Sequence, residues 1–435
     1  MRASGLMGLL PALLLAVSMW FYLQDVMIRY QMADSAERHI PRGNLSDLYP
    51  RWLGARELLL DHRDPYSAEI TQEIQRGYYG RPLDPSRPND PKDQQGFAYP
   101  LYVVFLLAPT VPLPFSVVQI GFFWLLVVTT LATVLVWLRT FEWHPSSATT
   151  ASLVLLTLGS FQVLQGLKLQ QLSLFVSGLI AGSVALVTTG HLFAAGILLA
   201  LSTIKPQLVL PLALWLLLWV LSDWPRRKAW AVAFGGALAA LVVGAEVTLP
   251  GWIGEFRHAL SAYRQYNDGA WSVLEVLLSP RWGQVAAVLV LLVTARLGWK
   301  LRRVAADSSA FHWMTALVLA VTLLVAPKTS PYNQVLLLPA VLLVARGWRV
   351  VWDKGRLARF TCLLAASVLF WPWVAAFVVT ILSLFPLTAL VGRVWMAPLY
   401  TLLAIPVAVS LALAFCPHSG ENLARRHRRL PGARG

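Results

Sequence analysis

Val117–Leu138 reads VVQIGFFWLLVVTTLATVLVWL, 22 residues without a charged side chain. As an α-helix rising about 1.5 Å per residue it is roughly 33 Å long. That matches the ~30 Å hydrocarbon core of a bilayer. A helix in a soluble protein keeps a polar face toward water, and this stretch has none.

Outward from this run the pattern repeats. Apolar stretches occupy Leu6–Leu23, Tyr99–Val111, Ala151–Leu164, Leu172–Val187, Leu192–Ile204 and Leu208–Leu221. They continue at Ala229–Val247, Val285–Leu297, Met314–Ala326, Val335–Ala345, Cys362–Leu384 and Val394–Phe415. Some are shorter than a comfortable crossing, so the expectation is an all-α, polytopic transmembrane protein of about 11–13 helices. Composition agrees. Of 435 residues, 57% are hydrophobic and 13% charged, about half the ~25% charge of a soluble domain. A soluble enzyme and a disordered chain, which needs low hydrophobicity and high charge, are both excluded.

The formal net charge is +15, which in a soluble protein would suggest nucleic acid. Here it is not spread evenly. Asp25 to Asp93 holds 10 Lys/Arg and 12 Asp/Glu, leaving 26 basic and 9 acidic residues elsewhere. That excess lies in short runs between apolar stretches: Arg226-Arg227-Lys228, Lys300 with Arg302-Arg303, Arg346 to Arg359, and the tail Arg425 to Arg429. Lys and Arg accumulate on the cytoplasmic side of membrane proteins, so these runs are placed in the cytoplasm and no nucleic-acid partner is expected. The two cysteines, Cys362 and Cys416, sit in or at the end of apolar runs. They make neither a disulfide framework nor a metal motif.

The expected organisation is a first transmembrane helix over residues 1–24, read as uncleaved, and an extracytoplasmic loop over 25–96. A multi-pass domain over 97–416 and a basic cytoplasmic tail over 417–435 follow. Within the loop, Leu48 to Leu60 sets Leu48, Trp52, Leu53, Leu59 and Leu60 mostly on one helical face, the pattern of an interfacial helix. Tyr99–Val111 is short and flanked by prolines. If it does not cross, the turns at Gly166–Gln171 and Lys205-Pro206 face the same outer side as the loop.

Polar residues that interrupt this pattern are the candidates for chemistry. Ser46-Asp47-Leu48-Tyr49-Pro50 opens the loop helix. Asp47 reads either as a helix cap or as a carboxylate beside the membrane able to take a proton from a hydroxyl. Asp64-Pro65-Tyr66 reads as a turn. Lys205 interrupts an apolar stretch as Ile204-Lys205-Pro206-Gln207. A lysine at mid-membrane costs about 2.5–3.5 kcal/mol, so it either snorkels to the interface or serves an anion. Lys168, in Gly166-Leu167-Lys168-Leu169-Gln170-Gln171, is a second such lysine. Lys328-Thr329-Ser330-Pro331-Tyr332-Asn333 is a polar turn whose Pro331 starts a helix. No Asp-x-Asp pair occurs, so the metal and nucleotide-diphosphate clamp of soluble glycosyltransferases is missing, and the lack of a phosphate-binding glycine motif argues against an ATP-driven pump.

Asp47-Leu48-Tyr49, then Ala55-Arg56-Glu57-Leu58-Leu59 and Asp64-Pro65-Tyr66, resembles the first-loop signature of glycosyltransferase family 87. These are membrane enzymes of the GT-C fold that use polyprenyl-phosphate mannose. Tyr99-Pro100, the Gly166–Ser173 turn, Lys205-Pro206 and Ser330-Pro331-Tyr332 follow in the family's order. Three positions depart from its pattern: Leu101 replaces a second proline, Gly166 is separated from Gln170, and no histidine follows the Ser-Pro turn.

The resemblance implies an inverting transfer of a hexose, mannose, to a glycan or glycolipid acceptor at the outer face of a plasma membrane. Asp47 would be the general base. Lys205, Lys328 and Lys168 would bind the donor phosphate. Tyr49, Arg51, Asp64, Tyr66, Tyr99, Gln170, Ser330, Tyr332 and Asn333 would contact substrates. No cofactor is implied, and the sequence leaves metal dependence open. The rival is a transporter or lipid flippase, which should show paired broken helices in two similar halves; one clear break is visible.

Overall fold

A computed structural model describes residues 3–37, 39, 46–84, 86–91, 93–266, 271–327 and 330–416, and within these every side chain except those of 3–7 and 264–266. It is 78% helix, with no strand among the described residues.

The chain begins with α1 (Ala3–Phe21), which passes through a π-helical turn, Tyr22–Met27, into α2 (Ile28–Glu37). The turn is pinned where the buried Tyr22 hydroxyl donates to the Trp395 carbonyl at 2.7 Å. The polar loop folds into α3 (Tyr49–Asp61) and α4 (Ala68–Tyr79), the second capped by Ser67, whose hydroxyl accepts from Ile70 N. Next come α5 (Val103–Leu107) and a 3-10 turn, Ala108–Thr110. Five helical residues rise about 8 Å, so this apolar run does not cross a bilayer.

The decisive run becomes α6 (Phe115–Thr140), 26 residues long. Then follow α7 (Ser147–Leu158), α8 (Phe161–Lys168), α9 (Leu172–Thr188), α10 (Leu192–Ser202), α11 (Pro206–Leu221) and α12 (Trp224–Thr248). The Ala151–Leu164 run, read as one helix, breaks between α7 and α8 with a 56° bend. Gly159 sits at the bend because α1 passes so close that a β-carbon there would lie 2.4 Å from Ala16 Cβ.

The rest comprises α13 (Trp252–Tyr266), α14 (Val273–Leu278), α15 (Pro280–Leu301) and α16 (Ser309–Val325). A 3-10 turn, Pro331–Leu337, leads into α17 (Leu338–Trp352), then α18 (Arg356–Ser383), α19 (Thr388–Val394) and α20 (Ile405–Ala414). The Val394–Phe415 run, expected to be continuous, is likewise broken by a 3-10 turn at Ala397–Leu399.

Six helices are long and apolar enough to cross a membrane; with the bent pair and five shorter apolar helices there are twelve apolar units among the described residues. The burial pattern is that of a membrane protein. α16 is buried from Phe311 to Leu324 on every side. The peripheral helices instead turn large apolar residues outward, such as Ile120, Trp124 and Val128 of α6. α3 buries Pro50, Trp52, Gly54, Ala55 and Leu58; of the expected face, Leu48 and Trp52 are buried, Leu53 and Leu59 are partly buried against the core, and Leu60 is exposed. The choice is made by packing on Phe97 and Phe115 rather than by periodicity alone.

The two ends of the bundle differ. At the start of α6, Phe115 packs against Tyr49 and Trp52 of the loop, with ring centroids 5.0 and 5.2 Å apart. Just past its end, the Phe141 carbonyl accepts from Arg346. α11 starts beside Lys205, and near its end the Trp219 carbonyl accepts from Arg227 Nη1 at 2.7 Å. Arg346 and Arg227, each from a basic run, thus lie at the opposite end of these helices from the polar loop.

Candidate active site

Three breaks in apolar helices meet under the start of α3. The first is the turn between α8 and α9. Gln170 takes a left-handed backbone, φ 45°, and Gln171 N donates to Gly166 O at 2.8 Å. The second is Thr203-Ile204-Lys205, where Pro206 starts α11 and Lys205 stands at its N-cap. The third is Ser330, which precedes the 3-10 turn beginning at Pro331. Gly166 lets the first and third approach, since a β-carbon there would lie 3.3 Å from Tyr332 Cβ.

Asp47 enters from above. It does not cap α3: the N-cap residue is Leu48, with no side-chain cap. The Asp47 side chain instead reaches across 124 residues of sequence, where Gln171 Nε2 donates to its Oδ2. Gln171 Oε1 accepts from Lys205 Nζ at 2.9 Å. Lys205 Nζ also donates to Ser173 Oγ at 2.7 Å, and Ser173 Oγ donates to Asn333 Oδ1 at 2.6 Å. Carboxylate, amide, ammonium, hydroxyl and amide form one chain, and Lys205 within it is only 5% exposed. A buried ammonium without such partners would cost several kcal/mol.

A second cation shares the site. Arg51 lies one turn into α3, its Cζ 4.5 Å from the Tyr99 ring centroid, and donates to the Asp47 carbonyl. Its buried Nε has no partner among the described residues. Lys205 Nζ lies 5.8 Å from the same ring and 5.3 Å from that of Tyr332, within cation–π range. Two cations around one tyrosine make a place that attracts an anion. Burial pushes the Asp47 carboxyl above its ordinary range and Asp93 adds to this, against Arg51, Lys205 and the Gln171 hydrogen bond. A carboxylate raised toward neutrality is a better proton acceptor.

The other expected residues divide. Tyr66 supports the site at one remove, its hydroxyl donating to the Tyr99 carbonyl at 2.7 Å. Asp64 Oδ1 accepts from Tyr66 N at 2.9 Å and holds that turn. Tyr49 packs on Phe115 and Trp52, with its hydroxyl against Gly77. Gln170 turns away: its Nε2 donates to Leu167 O at 2.7 Å and its Oε1 accepts from Gln119 at 3.3 Å. Lys168 lies in the last turn of α8. Ser330 caps no helix with its side chain, while Tyr332 and Asn333 face the chain described above. Lys328 lies outside the described residues.

Sequence reading missed Gln171, Ser173 and Asp93. The available signal was the polar pair Gln170-Gln171 with Ser173, opening an otherwise apolar helix. Among the described residues no three His, Cys, Asp or Glu side chains gather to hold a metal.

An apolar groove of about 310 Å³, lined at one part by Tyr102 and by Thr203 and Pro206, which flank Lys205 in the chain, runs between α11 and α12 past Val209, Ala213, Ala231 and Phe234. A larger one, about 410 Å³, lies between α7, α17, α18 and α20, with Gln162 and Gln334 at its polar margin.

The family model of glycosyltransferase family 87 matches residues 97–327. The chain belongs to glycosyltransferase family 87. It is therefore a membrane glycosyltransferase. No curated protein and no solved structure matches it. The family 87 segment contains Tyr99, Gln171, Ser173 and Lys205; Asp47 precedes it, and Tyr332 and Asn333 follow it.

Proposed function

We propose that this family 87 member transfers a hexose, mannose, from a polyprenyl-phosphate donor to a hydroxyl of a lipid-linked or cell-envelope glycan. Transfer occurs at the outer face of the plasma membrane with inversion at the anomeric carbon. Asp47 takes the acceptor proton as the acceptor oxygen bonds to the anomeric carbon. The bond from that carbon to the phosphate oxygen breaks, and polyprenyl phosphate leaves with the electron pair. Lys205 and Arg51, joined by Lys328 and Lys168, stabilise the charge that builds on the phosphate, the kind of preorganised electrostatics that accounts for much of enzymatic rate.

The observation that carries this reading is that Asp47 and Lys205 meet on one side chain, Gln171. A base and a cation on opposite sides of one small space suit an anionic leaving group and a neutral nucleophile. The α11/α12 groove supports a donor whose tail is apolar, because Thr203 and Pro206, on either side of Lys205 in the chain, line it. The basic ends of the helices support an outward-facing site, since positive residues mark the cytoplasmic side.

The test is to reconstitute the purified protein in vesicles and offer mannose either as a polyprenyl phosphate or as a sugar nucleotide. Transfer from the lipid donor alone, giving the anomer opposite to the donor's, is expected. Transfer from the nucleotide, or retention of configuration, would overturn the reading. Lipid translocation without any transfer would favour the flippase.

A further inference from the structure

We infer that Gln171 is a positioning residue for the transfer: its amide holds Asp47 by Oδ2, leaves Oδ1 to receive the acceptor proton, and keeps base and cation from closing into a direct ion pair. This rests on the reading of Asp47 as the base.

The orientation of the amide is dictated by its neighbours. An ammonium only donates and an ionised carboxylate only accepts. Gln171 Oε1 therefore faces Lys205, and Nε2 faces Asp47. The flipped amide would set oxygen against carboxylate and N–H against ammonium, so the usual ambiguity of amides is absent. Gln171 also stands at the N-cap of α9 yet its side chain makes no capping bond. The side chain is 3% exposed, and it is committed to the two charges rather than to its own helix.

The spacer has a chemical consequence. If Asp47 and Lys205 touched, each would neutralise the other: the carboxylate would lose basicity and the ammonium would be taken from the phosphate. A neutral amide passes a hydrogen bond to each and lets both act on substrates. Ser173 completes the arrangement by taking a second Lys205 hydrogen and handing its own to Asn333. In the transfer step the proton moves from the acceptor hydroxyl to Oδ1 while Oδ2 stays bonded to Gln171.

The groups facing Asp47 are Arg51 from α3, Asp93 from the loop, Lys205 ahead of α11, Tyr78 and Tyr79 from α4, Tyr263 from α13 and Tyr332 from the third turn. Gln171's bond lowers the Asp47 pKa. Removing it raises that pKa, so a base that must be ionised needs a higher pH.

The experiment compares wild type, Gln171→Met, Gln171→Glu and Asp47→Asn in vesicles, with polyprenyl-phosphate mannose as donor. It follows kcat and KM against pH, with a melting curve for each protein. Gln171→Met keeps length and volume but removes the amide. Its kcat should fall about 10–100-fold, the size seen when a group supporting a functional ligand is lost, and the acid limb of its profile should move to higher pH. Gln171→Glu should move the limb at least as far and raise the donor KM, because the new carboxylate pairs with Lys205 and repels Asp47. An unmoved acid limb in Gln171→Met, or in Gln171→Glu should the first not fold, overturns the inference. If Asp47→Asn is inactive while the Gln171 variants match wild type, only the role of Gln171 fails. If Asp47→Asn transfers normally, the reading of the base itself fails.

Discussion

The site has two walls of different construction. The loop wall, from α4 to Phe97 behind Arg51 with its buried Nε, is more exposed and redundant. Arg63 pairs with both Glu57 and Glu73 at 2.7 and 2.6 Å, Arg81 pairs with Asp90, and Tyr79 donates to the Asp93 carbonyl at 2.8 Å. The membrane wall holds few polar groups, and its Gln171, Ser173, Lys205 and Asn333 are all buried and bonded to one another. In water, losing one partner is repaired by solvent; in a dry wall the remaining partner is left unpaired. A polar substitution of the same chemical size should therefore do far more harm in the membrane wall.

The largest expected effect of that contrast is at Lys205. Lys205→Met should lower transfer by about 10²–10³-fold, the scale of losing one preorganised electrostatic contact, and raise the donor KM. Initial rates against donor concentration measure both; a variant within tenfold of wild type would break the comparison. The pH profile sharpens it next. Because burial raises the Asp47 pKa, activity should fall on the acid side at a pH above the ordinary carboxylate range, through the raised value as the base becomes protonated. Transfer rates followed across the acid range locate that limb; one centred on the ordinary value of ~3.9 would count against a buried base.

Smaller still is the effect on the α11/α12 groove. Ala231→Trp places an indole in it and should raise the donor KM several-fold with kcat within about twofold, since it removes binding shared by ground and transition states. A short-chain donor should be less affected than a long one.

The least effect is expected in the loop wall. Arg81→Ala removes a partly buried ion pair of the loop but leaves the Asp90 carboxylate its bond from Asp84 N, and should move the melting temperature by no more than about 2 °C. Arg81 holds the Asp90 carboxyl down to about 2. A lowered carboxylate pKa contributes stability above its unfolded value, ~3.9, that is lost as pH falls toward 2. Melting curves of the variant and wild type should accordingly converge between about pH 4 and 2.

The same two walls explain what was legible beforehand. The membrane architecture was written in long apolar runs: Val117–Leu138 became α6, and Cys362–Leu384 became α18. Lys205 announced a helix break because a buried charge ahead of a proline is costly within a helix. What could not be read was the direction of side chains within turns. Gln170 and Gln171 are chemically identical neighbours. The left-handed backbone of Gln170 sends its amide to Leu167 and Gln119, and Gln171's toward Asp47 and Lys205. Asp47 looked equally like a cap, and only a contact 124 residues away distinguishes the two. Bends such as Gly159 depend on how closely α1 approaches, which periodicity does not encode.

The central claim is that Asp47 takes the acceptor proton while the membrane wall holds the donor. The most direct measurement is single-turnover transfer from polyprenyl-phosphate mannose by Asp47→Asn in vesicles, with donor binding measured on the same preparation. The account predicts donor binding within a few-fold of wild type and transfer reduced about 10²–10⁴-fold, the contribution of a positioned general base. Transfer at the wild-type rate by the folded variant would contradict it.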